Sequence, residues 1–193
     1  MRITGGKARG RTLAAPKSGK AIIRPTCDRV REALFNILGD RIAGSMVLDL
    51  FAGTGAIGIE ALSRGAAFAL FVDQTIEAGR LIETNLRCCP QPVAAFVRLD
   101  LAATANLQPL LARVPQSTPF DLVFMDPPYQ KNLAEQVLGV VERSGILAAQ
   151  ALVVVEEHRR VALPPAVGGL ILLDQRRYGE TGLWFYGHQP API

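Results

Sequence analysis

A chain of 193 residues with 49% hydrophobic content is long enough for one core-bearing domain with a small appendage. No apolar run approaches the roughly 18 residues of a membrane span, and the basic start is not followed by the apolar stretch of a secretory signal, so a soluble, cytoplasmic protein is expected. Three cysteines (Cys27, Cys88, Cys89) and two histidines without a Cys-x-x-Cys argue against a disulfide framework and a zinc site, and the net charge of +4 is unevenly spread: residues 1–41 carry +7 and the rest −3.

Residues 1–24 contain Arg2, Lys7, Arg9, Arg11, Lys17, Lys20 and Arg24 and no acid. Such an arm either grips phosphates with release of counterions or is a solvated tail; composition leaves both open. Arg2–Thr4 and Arg11–Ala14 are spaced for a short hairpin around Gly5, Gly6 and Gly10. Thr26 reads as the N-cap of a helix to about Leu38, with Val30, Leu34, Ile37 and Leu38 on its apolar face. Arg29 and Arg31 then lie on a basic side. This arm and helix, 1–41, precede a single catalytic unit, 42–193.

Beyond Gly44 the chain alternates. Apolar runs at 46–50, 67–72, 93–98, 120–125, 151–155, 169–174 and 182–187 predict seven strands. Helical segments fit at 56–64, 75–87, 103–112 and 131–143. Alternation implies a mainly parallel α/β sheet with helices on both faces. The short link through Arg176–Thr181 makes the last two strands an antiparallel pair. That is a Rossmann-like methyltransferase sheet with an N-terminal hairpin and helix.

The first strand enters Asp49-Leu-Phe-Ala-Gly-Thr-Gly55 and then a helix. Gly53 and Gly55 allow a sharp turn and close backbone approach, and the helix start offers N–H groups to polar ligand atoms. Gly53–Gly58 also satisfies G-x-G-x-x-G, so a dinucleotide and S-adenosylmethionine both fit the loop. Asp49, inside the strand, would repel a pyrophosphate but can hold an ammonium group. Asp73 and Asp100 follow the second and third strands, placed for a ribose diol and an adenine amino group; either one alone also reads as a helix cap.

The strand Phe120–Met125 runs into Asp126-Pro127-Pro128-Tyr129. Two prolines fix the backbone and remove N–H donors, leaving acceptors that can face a substrate. A nucleobase amino group is a poor nucleophile because its lone pair is delocalised into the ring. The Asp126 carboxylate and a carbonyl near Pro127 can each accept one of its N–H groups, directing the lone pair and stabilising the positive charge that develops. Tyr129 can stack on the base.

The chain resembles the RsmD-type 16S rRNA guanine-N2 methyltransferases over nearly its whole length. The likeness rests on Arg2-Ile-Thr-Gly-Gly-Lys7, Arg24-Pro-Thr-Cys-Asp-Arg-Val-Arg-Glu-Ala-Leu-Phe-Asn36, the segment Leu48–Gly65, Asp126–Tyr129 and Tyr178-Gly-Glu-Thr181. Thr75, two residues past Asp73, departs from the expected pattern. The resemblance implies that Asp49, Phe51, Ala52, Gly53, Thr54, Gly55, Asp73, Asp100 and Leu101 hold S-adenosylmethionine, leaving S-adenosylhomocysteine as product. It implies that Asp126, Pro127, Pro128 and Tyr129 receive a flipped guanine. Arg2, Lys7, Arg9, Arg11, Arg24 and Arg29 are the candidate RNA contacts. The expected partner is 16S rRNA, within a small ribosomal subunit or an assembly intermediate, and the expected state is monomeric. A DNA adenine-N6 methyltransferase, a non-catalytic RNA-binding assembly factor and an NAD oxidoreductase are the alternatives.

Overall fold

The computed structural model describes residues 1–16, 25–89, 93–128 and 132–188, with the side chains of 25–27 excluded. The Thr26 cap, Arg24 and Tyr129 therefore lie outside the described residues or side chains. Strand–helix alternation gives the parallel arrangement it predicts. Strands β1 (Met46–Leu50), β2 (Phe68–Asp73), β3 (Ala94–Arg98), β4 (Phe120–Met125) and β5 (Leu147–His158) pair in parallel in the order β3-β2-β1-β4-β5. The edge strand β6 (Ala166–Val167), then β7 (Leu170–Tyr178) and β8 (Thr181–His188), complete the sheet, with β8 antiparallel between β5 and β7. Among the described residues the sheet thus has eight strands and not the seven expected. The added β6 is only two residues long and folds back through Gly168, at φ 57°, so it leaves no readable alternation.

Because successive side chains point to opposite faces, each central strand feeds two cores. Leu48, Leu50, Val123, Met125, Val153 and Val155 pack with helix α4 (Leu133–Arg143). Val47, Leu122, Phe124 and Val154 pack with α1 (Pro25–Leu38), α2 (Ala56–Ser63) and α3 (Ile76–Leu86). The helix expected at 103–112 is not present; only a 3-10 turn forms, over Gln108–Arg113. Polar side chains compete for the backbone there: Thr104 Oγ1 donates to the Asp100 carbonyl, and Asn106 Oδ1 accepts from the Gln108 N–H. Pro109 removes a further donor. Leu107, Leu110 and Val114 are buried all the same, which explains the misleading apolar pattern. Among the described residues no helix is long and apolar enough to cross a membrane.

Residues 1–16 of the N-terminal arm are packed and not splayed. A single antiparallel bridge, Arg2 with Thr12, marks the expected hairpin, and Ile3, Ala8 and Leu13 enter the α1–α2 core. The arm also closes the C-terminal end of α2, where carbonyls lack intrahelical partners. The Lys7 N–H donates to the Ser63 carbonyl at 2.7 Å, and Ser63 Oγ bridges the Ala8 N–H and the Gly5 carbonyl. Gly6 is required at this contact. Its φ is 74°, and a Cβ would meet the Ser63 carbonyl oxygen at 2.0 Å.

Arg31 does not lie on an exposed basic side as its helical position suggested. It is buried, with Nε 2.8 Å from Glu60 Oε2 and Nη2 3.1 Å from Asp28. Glu60 is itself fully buried and pairs with Arg64 at 2.9 Å, while the Thr4 N–H and hydroxyl also donate to it. Arg31 also donates to the Arg2 carbonyl. One buried carboxylate thus joins the arm, α1 and α2, because a buried charge persists only when paired and hydrogen-bonded. The sequence pattern could not reveal this, since Glu60 lies on the partner helix 29 residues away.

Candidate active site

The chain leaves β1 toward β2 on one side, while β4 enters on the other. The C-terminal ends of these strands therefore frame the switch-point crevice at which open α/β sheets bind ligands. β1 turns sharply there: Phe51, Gly53 and Gly55 have φ of 61°, 52° and 75°. For Phe51 this left-handed conformation is strained, as at many ligand-facing turns. The loop is fixed on three sides. The Ala52 N–H donates to the Val72 carbonyl at 3.0 Å. The Gly53 N–H donates to Asp73 Oδ2 at 3.0 Å. Asn85, buried on α3, donates to the Thr54 carbonyl at 2.9 Å and pairs through both its side-chain oxygen and nitrogen with Ala14. Asn85 thereby locks the arm to the glycine loop, a link that no motif announced.

Asp73 ends β2 half-buried. Its Oδ1 accepts from the N–H and hydroxyl of Thr75, whose own oxygen caps α3 by accepting from the Ala78 N–H. The departure at Thr75 is thus a helix cap that also orients Asp73. Asp100 stands exposed after β3 and accepts the Ala102 N–H at 3.0 Å. A cleft of about 580 Å³ runs between them, walled by Phe51, Asp73–Thr75, Leu99–Ala102, Asp126–Pro128 and Leu133. It brings together Phe51, Asp73, Asp100, Leu101, Asp126, Pro127 and Pro128 from among the predicted residues. Ala52, Gly53, Thr54 and Gly55 follow Phe51 in the loop and are not among these wall residues.

Asp49 sits elsewhere. It is buried beneath the glycine loop, accepts the Gly58 N–H at 2.9 Å, and lines a second, narrower pocket. Burial raises its pKa to about 8, with smaller contributions from the Asp126 and Asp73 charges, against the opposing Gly58 hydrogen bond. Asp126 belongs to both pockets. Its carboxyl opens to the cleft but is hemmed in by protein, and this desolvation, with the Glu157 charge, lifts its pKa to about 6. Glu156, next along the sheet, is raised to about 8 by burial and by Asp126. Sequence reasoning passed over Glu156, although it directly follows the apolar run 151–155 as Asp73 and Asp126 follow theirs; β5 itself continues to His158.

The basic candidates divide. Arg2, Lys7, Arg9, Arg11 and Arg29 are exposed, and none forms an ion pair among the described residues. Four of them ride on the packed arm, so their charges are held at defined positions on its surface.

An open α/β sheet ending in an antiparallel pair, a glycine turn after β1, acids after β2 and β3, and an acid-proline-proline tip on β4 define a methyltransferase of the S-adenosylmethionine-dependent class. A solved example of that fold is SMU.776, a methyltransferase complexed with SAH (TM-score 0.60, 17% identity, 82% of this chain and 48% of that one). A profile of the family described as "Conserved hypothetical protein 95" matches residues 1–187. Ribosomal RNA small subunit methyltransferase D of Escherichia coli strain K12 is 36% identical over 186 residues, 96% of this chain and 89% of that protein. The structure of yhhF from Escherichia coli superimposes with a TM-score of 0.80 at 34% identity, covering 98% of both chains. The chain belongs to this family, the RsmD family.

Proposed function

We propose that the protein transfers a methyl group from S-adenosylmethionine to the exocyclic N2 of a guanine in 16S ribosomal RNA. The observation that carries this reading is Asp126, held at the tip of β4 as the shared wall of the large cleft and the narrower pocket. The similar Escherichia coli protein is named as a small-subunit rRNA methyltransferase, which supports ribosomal RNA as the substrate. The residues at the cleft fit the cofactor: Asp73 to accept from a ribose diol, Asp100 to accept from an adenine amino group, and the neighbouring strained glycine turn for the amino-acid portion. S-adenosylmethionine held there supplies an electrophilic methyl group.

The chain's own residues do the rest. Asp126 accepts an N–H of the target amino group, aligns its lone pair and stabilises the charge that develops on nitrogen. Pro127 and Pro128 fix the backbone, so that the acceptor needs no reorganisation during reaction. Tyr129 is assigned to stacking and Arg24 to phosphate contact. No metal is required. The protein acts as a monomer in the cytoplasm on a small subunit or an assembly intermediate.

The deciding experiment follows labelled methyl from S-adenosylmethionine into unmethylated small subunits, their naked RNA and duplex DNA, each digested to nucleosides. Label in 2-methylguanosine is the expected result. Label in 6-methyladenine from DNA would replace this reading with an adenine-N6 methyltransferase, and no transfer at all would favour a non-catalytic assembly role.

Two further outcomes are expected. Changing Lys7, Arg9 and Arg11 together to Ala touches none of the buried arm residues. It should reduce the steepness of log affinity against log salt by about 2 to 3, as roughly three phosphate contacts are lost; an unchanged slope in filter-binding titrations would remove the arm from the RNA interface. The pH profile should show an acid limb. Asp126 is lifted to about 6, so it is ionised above that pH and protonated below. Since protonation weakens its acceptor role, kcat/KM should fall as pH drops through about 6, approaching tenfold per unit. Asp126→Asn should flatten that limb.

A further inference from the structure

Resting on the guanine reading, we propose that Glu156 selects guanine at the acceptor site, its carboxyl accepting the ring N1–H while Asp126 accepts from N2. The first support is position. Met125 of β4 pairs with Val155 of β5, so Asp126 and Glu156 are the next residues on adjacent parallel strands. Phe124 and Val154, two positions back, belong to the α1–α2 core face, so alternation puts both carboxyls on that same face.

The second support is the pocket they share. Glu156 and Asp126 line a narrow space of about 20 Å³ whose other walls include Leu34, Ile57, Val154, Leu183 and Asp49, the last already accepting the Gly58 N–H. That space admits the polar edge of a ring and not the ring itself. Asp126 continues into the large cleft, so a base lying there would direct its edge toward Glu156.

The third support is chemical. Among the described residues no hydrogen-bond donor engages the carboxyl of Asp126 or of Glu156 in the protein itself. Burial disfavours the ionised form of both carboxyls, and at Glu156 the Asp126 charge adds to this. The ligand that relieves this is one with two adjacent N–H donors. Guanine offers N1–H beside N2–H, whereas adenine offers an amino group beside the bare acceptor N1. Adenine would therefore set an acceptor against an acceptor, the kind of repulsive element that gives specificity. Sites built to hydrogen-bond a group discriminate strongly when that partner is missing.

Two substitutions test the assignment. Glu156→Leu fills the pocket without an acceptor, and Glu156→Gln restores an acceptor oxygen without the charge. Each is compared with wild type in three measurements: kcat/KM for guanine N2 methylation in unmethylated small subunits, S-adenosylmethionine affinity, and Tm. Removing a carboxyl that burial disfavours should leave Tm unchanged or higher, so both variants should fold. The expected result is a loss of at least about tenfold in kcat/KM for Glu156→Leu, recovery to within about threefold for Glu156→Gln, and unchanged cofactor affinity in both. Near-wild-type guanine methylation by Glu156→Leu would overturn the proposal, and so would a Glu156→Gln variant as poor as Glu156→Leu, which would make charge and not acceptance the requirement. If wild type itself forms no 2-methylguanosine, the guanine reading fails first, and that failure is visible before either variant is assayed.

Discussion

Replacing Asp126 with alanine is expected to slow methyl transfer by about 10²-fold or more in kcat, with S-adenosylmethionine affinity changed little. The size follows from what the carboxyl is assigned to do. An acceptor held in place by the β4 end and two prolines stabilises charge that exists only in the transition state, and removing one such preorganised group costs on the order of 10²–10³ in rate. The geometry favours a rate effect over a binding effect, because the glycine turn, Asp73 and Asp100 remain in place without Asp126. Asp73 keeps its hydrogen bonds to the Gly53 N–H and to Thr75, none of which involves β4. Single-turnover transfer and equilibrium cofactor binding, measured on the same preparation, separate the two. Wild-type turnover by Asp126→Ala would remove Asp126 from the chemistry. A loss confined to cofactor affinity would move it to the cofactor site.

The second large effect concerns stability. Glu60→Ala should cost about 3–5 kcal/mol, because it strands the buried Arg31 guanidinium and unties Arg64 and Thr4 at once. Asp28 still contacts Arg31 but is itself partly exposed. For a chain of this size the loss corresponds to a fall in Tm of about 10 °C. The arm should loosen with it, since Thr4 reaches Glu60 by backbone and side chain and Arg31 holds the Arg2 carbonyl. Limited proteolysis should then cut first within the arm. A double change of Arg31 and Glu60 to Met should recover much of the lost stability, since a buried ion pair often stabilises no better than apolar residues of similar size. A Tm unaffected by Glu60→Ala would show that the network is relieved by solvent and that the arm is held by Ile3, Ala8 and Leu13 alone.

The two predictions meet at the arm. Asn85 ties Ala14 to the glycine loop, and Glu60 ties Thr4 to α1 and α2. Of the segment that composition left undecided between tail and phosphate grip, residues 1–16 are therefore packed onto the core. Its exposed cations are presented from a packed surface, so under the proposed function RNA binding there would require less ordering than a free tail would.

What the sequence by itself determined was whatever local rules govern. Alternating apolar runs and helical periods placed the parallel strands and three of the four predicted helices beyond Gly44. Gly53 and Gly55 marked the turn that only positive φ permits, and Asp126-Pro127-Pro128 marked a rigid acceptor at a strand end. The acids at 73 and 100 were found because the end of a parallel strand is where such sheets bind ligands. The tertiary structure decided what depends on distant partners. Arg31 looked exposed until Glu60, from another helix, neutralised it. The 103–112 segment has a helix's apolar spacing, yet its polar side chains and Pro109 take the backbone elsewhere. Asp49 was read as a holder of an ammonium group; pleat alternation sets its carboxyl beneath the glycine loop, in the pocket it shares with Asp126 and Glu156. The pairing of Asp126 with Glu156 exists only because β4 and β5, separated by a whole helix in the chain, lie side by side in register.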